Sequence, residues 1–169
     1  MAERVSLRDY QRALVERLRS AGGGSIASKL GMQVGPESWL VDLADAGEVI
    51  PVPAISPVPL TRPWFKGVTS IRGMLYSVVD LPAFLGGPTV TVSEQARLLL
   101  IGERFRLGAA LLIDRSLGLR NPEQLKSREG AGQAAPWLKG EYDDVDGRQW
   151  KELDMAQLVR HPDFLGVAA

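Results

Sequence analysis

The sequence predicts a mainly β fold built from many short strands, and three observations carry that expectation. The strongly apolar runs, Leu98 to Ile101 and Ala109 to Ile113, are strand length, and none approaches the ~20 residues of a membrane-spanning helix. Turn residues recur between the runs, as Gly35-Pro36, Arg72-Gly73, Gly86-Gly87-Pro88 and Asp146-Gly147. Five of the eleven prolines fall between Pro51 and Pro63, a stretch that can be neither a helix nor a central strand because proline lacks an N–H donor. Short strands at this spacing suggest one or two small barrels, and 169 residues suit one domain or two subdomains sharing a core.

The elements follow in chain order. Ser6 to Ser20 reads as a helix, with Leu7, Tyr10, Leu14 and Leu18 on one face and Arg8, Arg12, Glu16 and Arg19 on the other. Gly22-Gly23-Gly24-Ser25 ends it, so residues 1–24 form an appendage whose apolar stripe must dock on its own domain or on a partner. Strands are expected over Lys29 to Val34, Ser38 to Leu43 and Glu48 to Val52, followed by the Pro-rich connector. Gly67 to Ile71 and Met74 to Leu81 form a hairpin around Arg72-Gly73, and Pro82 to Leu85 gives one helical turn. Ala96 to Ile101 and Phe105 to Ile113 make a second pair joined at Gly102-Glu103-Arg104. Leu117 to Leu125 is a weaker strand or loop, and Ser127 to Ala135 is a mobile segment. Leu138 to Tyr142 and Arg148 to Leu153 flank Asp146-Gly147 as a third hairpin. Asp154 caps a last helix, Met155 to Arg160, so the main domain is placed at 25–160 and a tail at 161–169.

Composition excludes several functions. Twenty Lys+Arg balance twenty Asp+Glu, which gives no general attraction for nucleic acid or an anionic membrane. With no Cys and one His, there is no disulfide framework, Cys-ligated zinc, thiol nucleophile or His-rich metal site, and no cofactor is expected. Met1-Ala2-Glu3-Arg4 leads into a charged stretch with no apolar signal region, so a cytoplasmic protein is expected.

The isolated chemical motifs are weak. Gly23 to Leu30 approaches a phosphate-loop spacing, but Ser28 replaces the second Gly, Leu30 replaces Ser/Thr, and the stretch follows a helix. Asp144, Asp146 and Gly147 resemble part of a calcium loop whose two ends, Tyr142 and Leu153, lack carboxylates. His161 at the end of the last helix reads as a capping residue rather than a base. No Ser sits in a Gly-x-Ser-x-Gly elbow. Trp39, Trp64, Trp137 and Trp150 could stack bases, but without a basic excess they read as core.

The informative stretch runs from Pro63-Trp64-Phe65-Lys66-Gly67-Val68 through Ile71-Arg72-Gly73 to Val78-Val79-Asp80-Leu81. Gly73 permits a tight turn, Arg72 projects a planar donor fork from it, and Asp80 could accept from backbone or from Arg72. This stretch resembles the signature of CheW-like domains, the coupling proteins of bacterial chemosensory arrays. Gly67, Val68, Ile71, Arg72, Gly73, Val78, Asp80 and Leu81 match; Ser70 stands where Asn is usual, and Ser77 where a Pro often precedes the Val. Trp64, Phe65 and the run after Gly73 most resemble the branch of that family found in type IV pilus (twitching) systems.

The resemblance implies two intertwined five-stranded SH3-like barrels sharing a core, with short helices and the extra first helix. It also implies a non-enzymatic adaptor between a methyl-accepting chemoreceptor tip and a histidine kinase of the CheA type, recruited to membrane-anchored arrays without entering the membrane. The candidate coupling residues are then Trp64, Phe65, Gly67, Val68, Ile71, Arg72, Gly73 and Asp80. A small-ligand sensory barrel is the alternative, and it requires a pocket of several hundred Å3 lined by convergent polar groups.

Overall fold

The computed structural model describes residues 11, 12, 14, 15, 28–130 and 134–169. The first-helix prediction, the Gly-rich linker and most of the phosphate-loop reading lie outside these residues, apart from helical Gln11, Arg12, Leu14 and Val15. The strands are β1 (Lys29–Val34), β2 (Glu37–Asp42), β3 (Ala46–Pro51), β4 (Phe65–Ile71), β5 (Met74–Asp80), β6 (Arg97–Ile101), β7 (Ala109–Ile113), β8 (Arg115–Arg120), β9 (Leu125–Ser127), β10 (Leu138–Asp144) and β11 (Gln149–Leu153). Among the described residues from Ser28 onward, three short α-helices accompany them: α1 (Leu81–Phe84), α2 (Met155–Arg160) and α3 (Pro162–Leu165).

Two mixed sheets result. One has five strands in the order β3-β6-β7-β5-β4; the other has six, β8-β1-β2-β11-β10-β9, because three-residue β9 adds to the expected five. The chain begins the larger sheet, leaves it to build the whole of the smaller one, and returns from β8 onward. The two parallel pairs, β2 with β11 and β5 with β7, join strands far apart in sequence, so no tight hairpin could connect them.

Both sheets are strongly curled. Six flat strands would hold β8 and β9 about 24 Å apart at ~4.8 Å per step. Residues 121–124, the only link between those strands, span at most about 17 Å. The link also tightens into a 3-10 turn at Pro122–Gln124, whose first N–H groups include Glu123 N donating to Asn121 Oδ1 at 2.9 Å. In the smaller sheet, Arg72 at the β4–β5 turn reaches Glu48 on β3, the strand at the opposite edge. These features fit the SH3-like description.

The shared core lies between the sheets. Met32, Val41, Leu99, Leu111, Ile113, Leu153, Met155 and Leu158 all belong to it. Leu98, Leu100, Ala110 and Leu112 point the other way, into a second cluster roofed by Ile55 of the connector and Val90. Strands β6 and β7 are thus buried on both faces, which is why their sequences are unbroken apolar runs. Each such Leu or Ile contributes roughly 1.5–3 kcal/mol relative to exposure.

Several boundaries differ from the sequence expectation. The strand expected from Phe105 starts at Ala109, because Glu103–Phe105 winds into a 3-10 turn and Arg106 adopts a φ of 51°. Leu117 to Leu125 is not one element: β8 ends at Arg120 and β9 begins at Leu125. The segment expected to be mobile from Ser127 starts inside the sheet, where Ser127 pairs with Tyr142 and Arg128 N donates to Glu141 O at 2.9 Å; residues 131–133 lie outside the described set. Asp154 caps α2 as expected, accepting from Gln157 N at 3.1 Å.

Candidate functional site

The β4–β5 hairpin holds every candidate coupling residue except Trp64, which immediately precedes it. Ile71 pairs with Met74, leaving a two-residue turn in which both members have positive φ, 51° at Arg72 and 79° at Gly73. This is the turn whose twist matches paired strands. Only Gly73 was expected to need such freedom; Arg72 also occupies the left-handed region, so its side chain is aimed by a strained backbone.

Gly67 is required by the connector. Ser56 and Val68 exchange backbone hydrogen bonds of 2.8 and 2.9 Å across the free edge of β4. A Cβ on Gly67, at φ 129°, would lie 2.0 Å from Ser56 O. Thr69 Oγ1 adds a bond to Ala54 O at 2.8 Å. The Pro-rich connector therefore protects the edge strand, and Gly67 and Val68 both take part in that contact.

Asp80 does not hold Arg72. It is fully buried at the far end of β5, about 20 Å along the strand from the turn. Its carboxylate accepts from Ala83 N and Val90 N, both at 3.0 Å, so it caps α1 and anchors the loop beyond. Lys66 Nζ lies 3.6 Å away and supplies the countercharge. Arg72 instead pairs with Glu48, a residue the sequence reading missed because it lies on a strand 24 positions upstream.

The structure thus divides the candidates between two ends. At the tip, Arg72 is exposed beside Met74 and Leu75, themselves 63% and 67% exposed. Ile71 turns inward against the second apolar cluster. At the base, Trp64 stacks edge-on against Phe84 at 5.1 Å, and Phe84 meets Trp137 at 5.2 Å and Phe164 at 5.6 Å. Trp64 leads into β4 and Trp137 into β10, so this aromatic cluster closes the seam between the sheets; Phe65 packs on the shared core nearby. His161 stacks on Trp137 at 4.9 Å, and its Nδ1 accepts from Asp163 N at 3.2 Å, so it caps α3. Trp137 packs on the core as its sequence context suggested; Phe84, Met74 and Leu75 were missed, and the only sequence signal was that Met74 and Leu75 are consecutive apolar residues, which alternation cannot bury together.

A buried polar cluster occupies the larger sheet. Glu152, 1% exposed, binds Lys29 and accepts from Tyr142 Oη at 2.8 Å. Lys29 and Lys139 also bind Asp42, at 2.7 and 3.2 Å. Burial opposes the charge on Lys29, but Asp42 and Glu152 outweigh it and raise the Lys29 pKa. Burial likewise opposes ionisation of Asp42, and the two lysines outweigh it, holding that carboxyl below its usual range. Burial and then the hydrogen bond to Glu152 raise the Tyr142 pKa. Two cations balance two carboxylates, which suits a brace rather than a catalytic pair.

The Asp144 turn is structural too. Its carboxylate accepts from Trp150 Nε1, Arg148 N and Asp146 N, each at 2.9 Å, with the Trp150 bond leading in depressing its pKa. No cluster of metal-ligating side chains occurs among the described residues. A polar cleft of about 550 Å3 is lined by Gln33, Glu37, Arg128, Glu141, Arg148 and Lys151, where Lys151 already pairs with Glu37 at 2.7 Å and Arg128 with Asp143 at 3.5 Å.

Residues 29–163 match the model of the CheW-like domain, and the chain belongs to that family. The chain is similar to protein PilI of Pseudomonas aeruginosa, with 29% identity over 147 residues covering 83% of this chain and 80% of that one. Its fold is similar to the crystal structure of the scaffolding protein TtCheW from Thermoanaerobacter tengcongensis, with a TM-score of 0.63 at 17% identity over 76% of this chain and 88% of the other. No helix among the described residues is long and apolar enough to cross a membrane.

Proposed function

We propose that the chain is a scaffold that couples the cytoplasmic tip of a methyl-accepting chemoreceptor to a CheA-type histidine kinase, in a chemosensory system governing type IV pilus twitching motility. Family membership supports the scaffold class, and the similarity to PilI supports the pilus output. The observation that carries the reading is the hairpin tip, where Arg72, Met74 and Leu75 stand exposed on a turn fixed by its own backbone and by Glu48. An adaptor needs two separate surfaces, and the hairpin presents two. The tip offers a guanidinium and apolar anchors to a receptor helix, while the half-buried aromatic seam at the base, ~20 Å away, is the surface assigned to the second partner. Recruitment to receptor arrays from the cytoplasm follows from these partners. Co-purification tests the reading: the wild-type chain retains both partners at tens of micromolar, a modest affinity typical of small contacts. Retention of neither would reject it.

The polar cleft supports a second reading, a sensory module for a small dipolar ligand, since it has the size such a pocket requires. A thermal-shift screen against metabolites separates the two readings, and the scaffold reading predicts no stabilising compound.

A further inference from the structure

The last four residues lie in the segment expected to be a separate tail, yet they pair with the connector beside Trp64. Arg62 N donates to Val167 O at 2.9 Å, Arg62 Nε to Gly166 O at 3.0 Å, and Ala169 N to Leu60 O at 3.0 Å, with Thr61 and Ala168 bridged as partners. The segment is rooted by Phe164, which is buried and stacks on Phe84, the ring that also holds Trp64. On the connector side, Phe65 N donates to Arg62 O at 2.9 Å, closing the turn that contains Trp64. Leu60 sits at a φ of 59° with its side chain 87% exposed. A left-handed backbone is unfavourable for leucine and persists only where its surroundings impose it. The prolines of the connector supply no N–H donors, so its first half is held by the Ser56–Val68 pair, the Thr69–Ala54 bond and Ile55, and its second half by these strap bonds.

We propose that residues 166–169 are a positioning strap: they hold Leu60 in its strained, outward conformation and fix the Arg62–Phe65 turn that seats Trp64. The strap therefore sets the geometry of the seam surface without touching a partner itself. Its consequence for partner binding rests on the coupling reading above; its effect on the connector does not. The strap carries little buried apolar surface beyond Phe164, so it opens locally at low cost compared with global unfolding.

Two substitutions in the full chain test this. Ala169→Pro deletes the N–H that holds Leu60 O, and Arg62→Ala deletes the bond to Gly166 O. Backbone amide exchange at positions 62 and 65, corrected for the intrinsic rate of the residue present, is expected to rise about tenfold in each, while amides of β6 and β7 stay unchanged. Capture of one partner should fall severalfold, with the effect of Arg62→Ala reproduced by Ala169→Pro, which alters no side chain near the seam. Unchanged exchange at Arg62 and Phe65 in both variants overturns the strap. Raised exchange with undiminished capture of both partners overturns its role in coupling. A wild-type chain that captures neither partner overturns the coupling reading instead, and the exchange result then decides the strap alone.

Discussion

At Gly67 one missing side chain settles the path of a whole connector. Any Cβ there meets the backbone oxygen of Ser56 at 2.0 Å, an atom that cannot swing aside, with φ already at 129°. Gly67→Ala is therefore expected to cost on the order of 3 kcal/mol, read as a lower urea midpoint with an unchanged slope. Arg72 makes a different prediction. Its ion pair is exposed and should matter little to folding. Arg72→Ala should keep its thermal midpoint and lose receptor-tip capture while retaining the kinase, and Arg72→Lys should fail similarly because it lacks the planar fork. A large midpoint drop would mark Arg72 as a brace instead. The glycine and arginine positions were legible because tight turns constrain them locally. The left-handed φ of Arg72 and its partner Glu48 were not, since neither turn strain at a non-glycine residue nor a cross-sheet pair leaves a local pattern. Asp80 was legible as an important carboxylate and stands directly before the predicted turn that holds its donor Ala83 N, but its burial and its second donor, Val90 N ten residues on, leave no local pattern.

Among the elements, strands with one or both faces buried were read to within a few residues, as with β1, β5 and β11. β8 and β9 were blurred because exposed residues dominate both and alternation is lost. The polar cluster joining β1, β2, β10 and β11 escaped notice altogether, since lysines and carboxylates in half-exposed strands look like ordinary solvated faces. It nevertheless sets a pH dependence. The depressed pKa of Asp42 means its stabilising effect is present above the unfolded carboxylate value of ~3.9 and is lost as pH falls through the lower folded value. Lys29 acts oppositely: its raised pKa contributes fully below ~10.4 and is lost as pH rises through the higher folded value. Melting curves should thus be flat between about pH 5 and 9 as far as this cluster is concerned, and fall beyond either end. Asp42→Asn should lower the neutral-pH midpoint and flatten the acid limb; an acid limb as steep as wild type would remove Asp42 from the account.

For the molecule as a whole, the chain builds the smaller sheet between two visits to the larger one, and the seven-residue strands of the β4–β5 hairpin hold its two ends about 20 Å apart. The spacing of short strands suggested one or two small barrels, but not this strand order, because β2–β11 and β5–β7 are non-local parallel pairings; the resemblance carried by the hairpin motif chose two barrels sharing a core. Such separation is what a scaffold needs, since it lets two partners bind without competing. The most direct test is a three-component capture assay: immobilised receptor tip, the wild-type chain at tens of micromolar, and the cognate CheA-type kinase. The scaffold account predicts that kinase is retained only when the chain is present, and that Arg72→Ala releases chain and kinase together from the receptor. Kinase retained equally without the chain, or receptor and kinase displacing one another from it, would contradict the account.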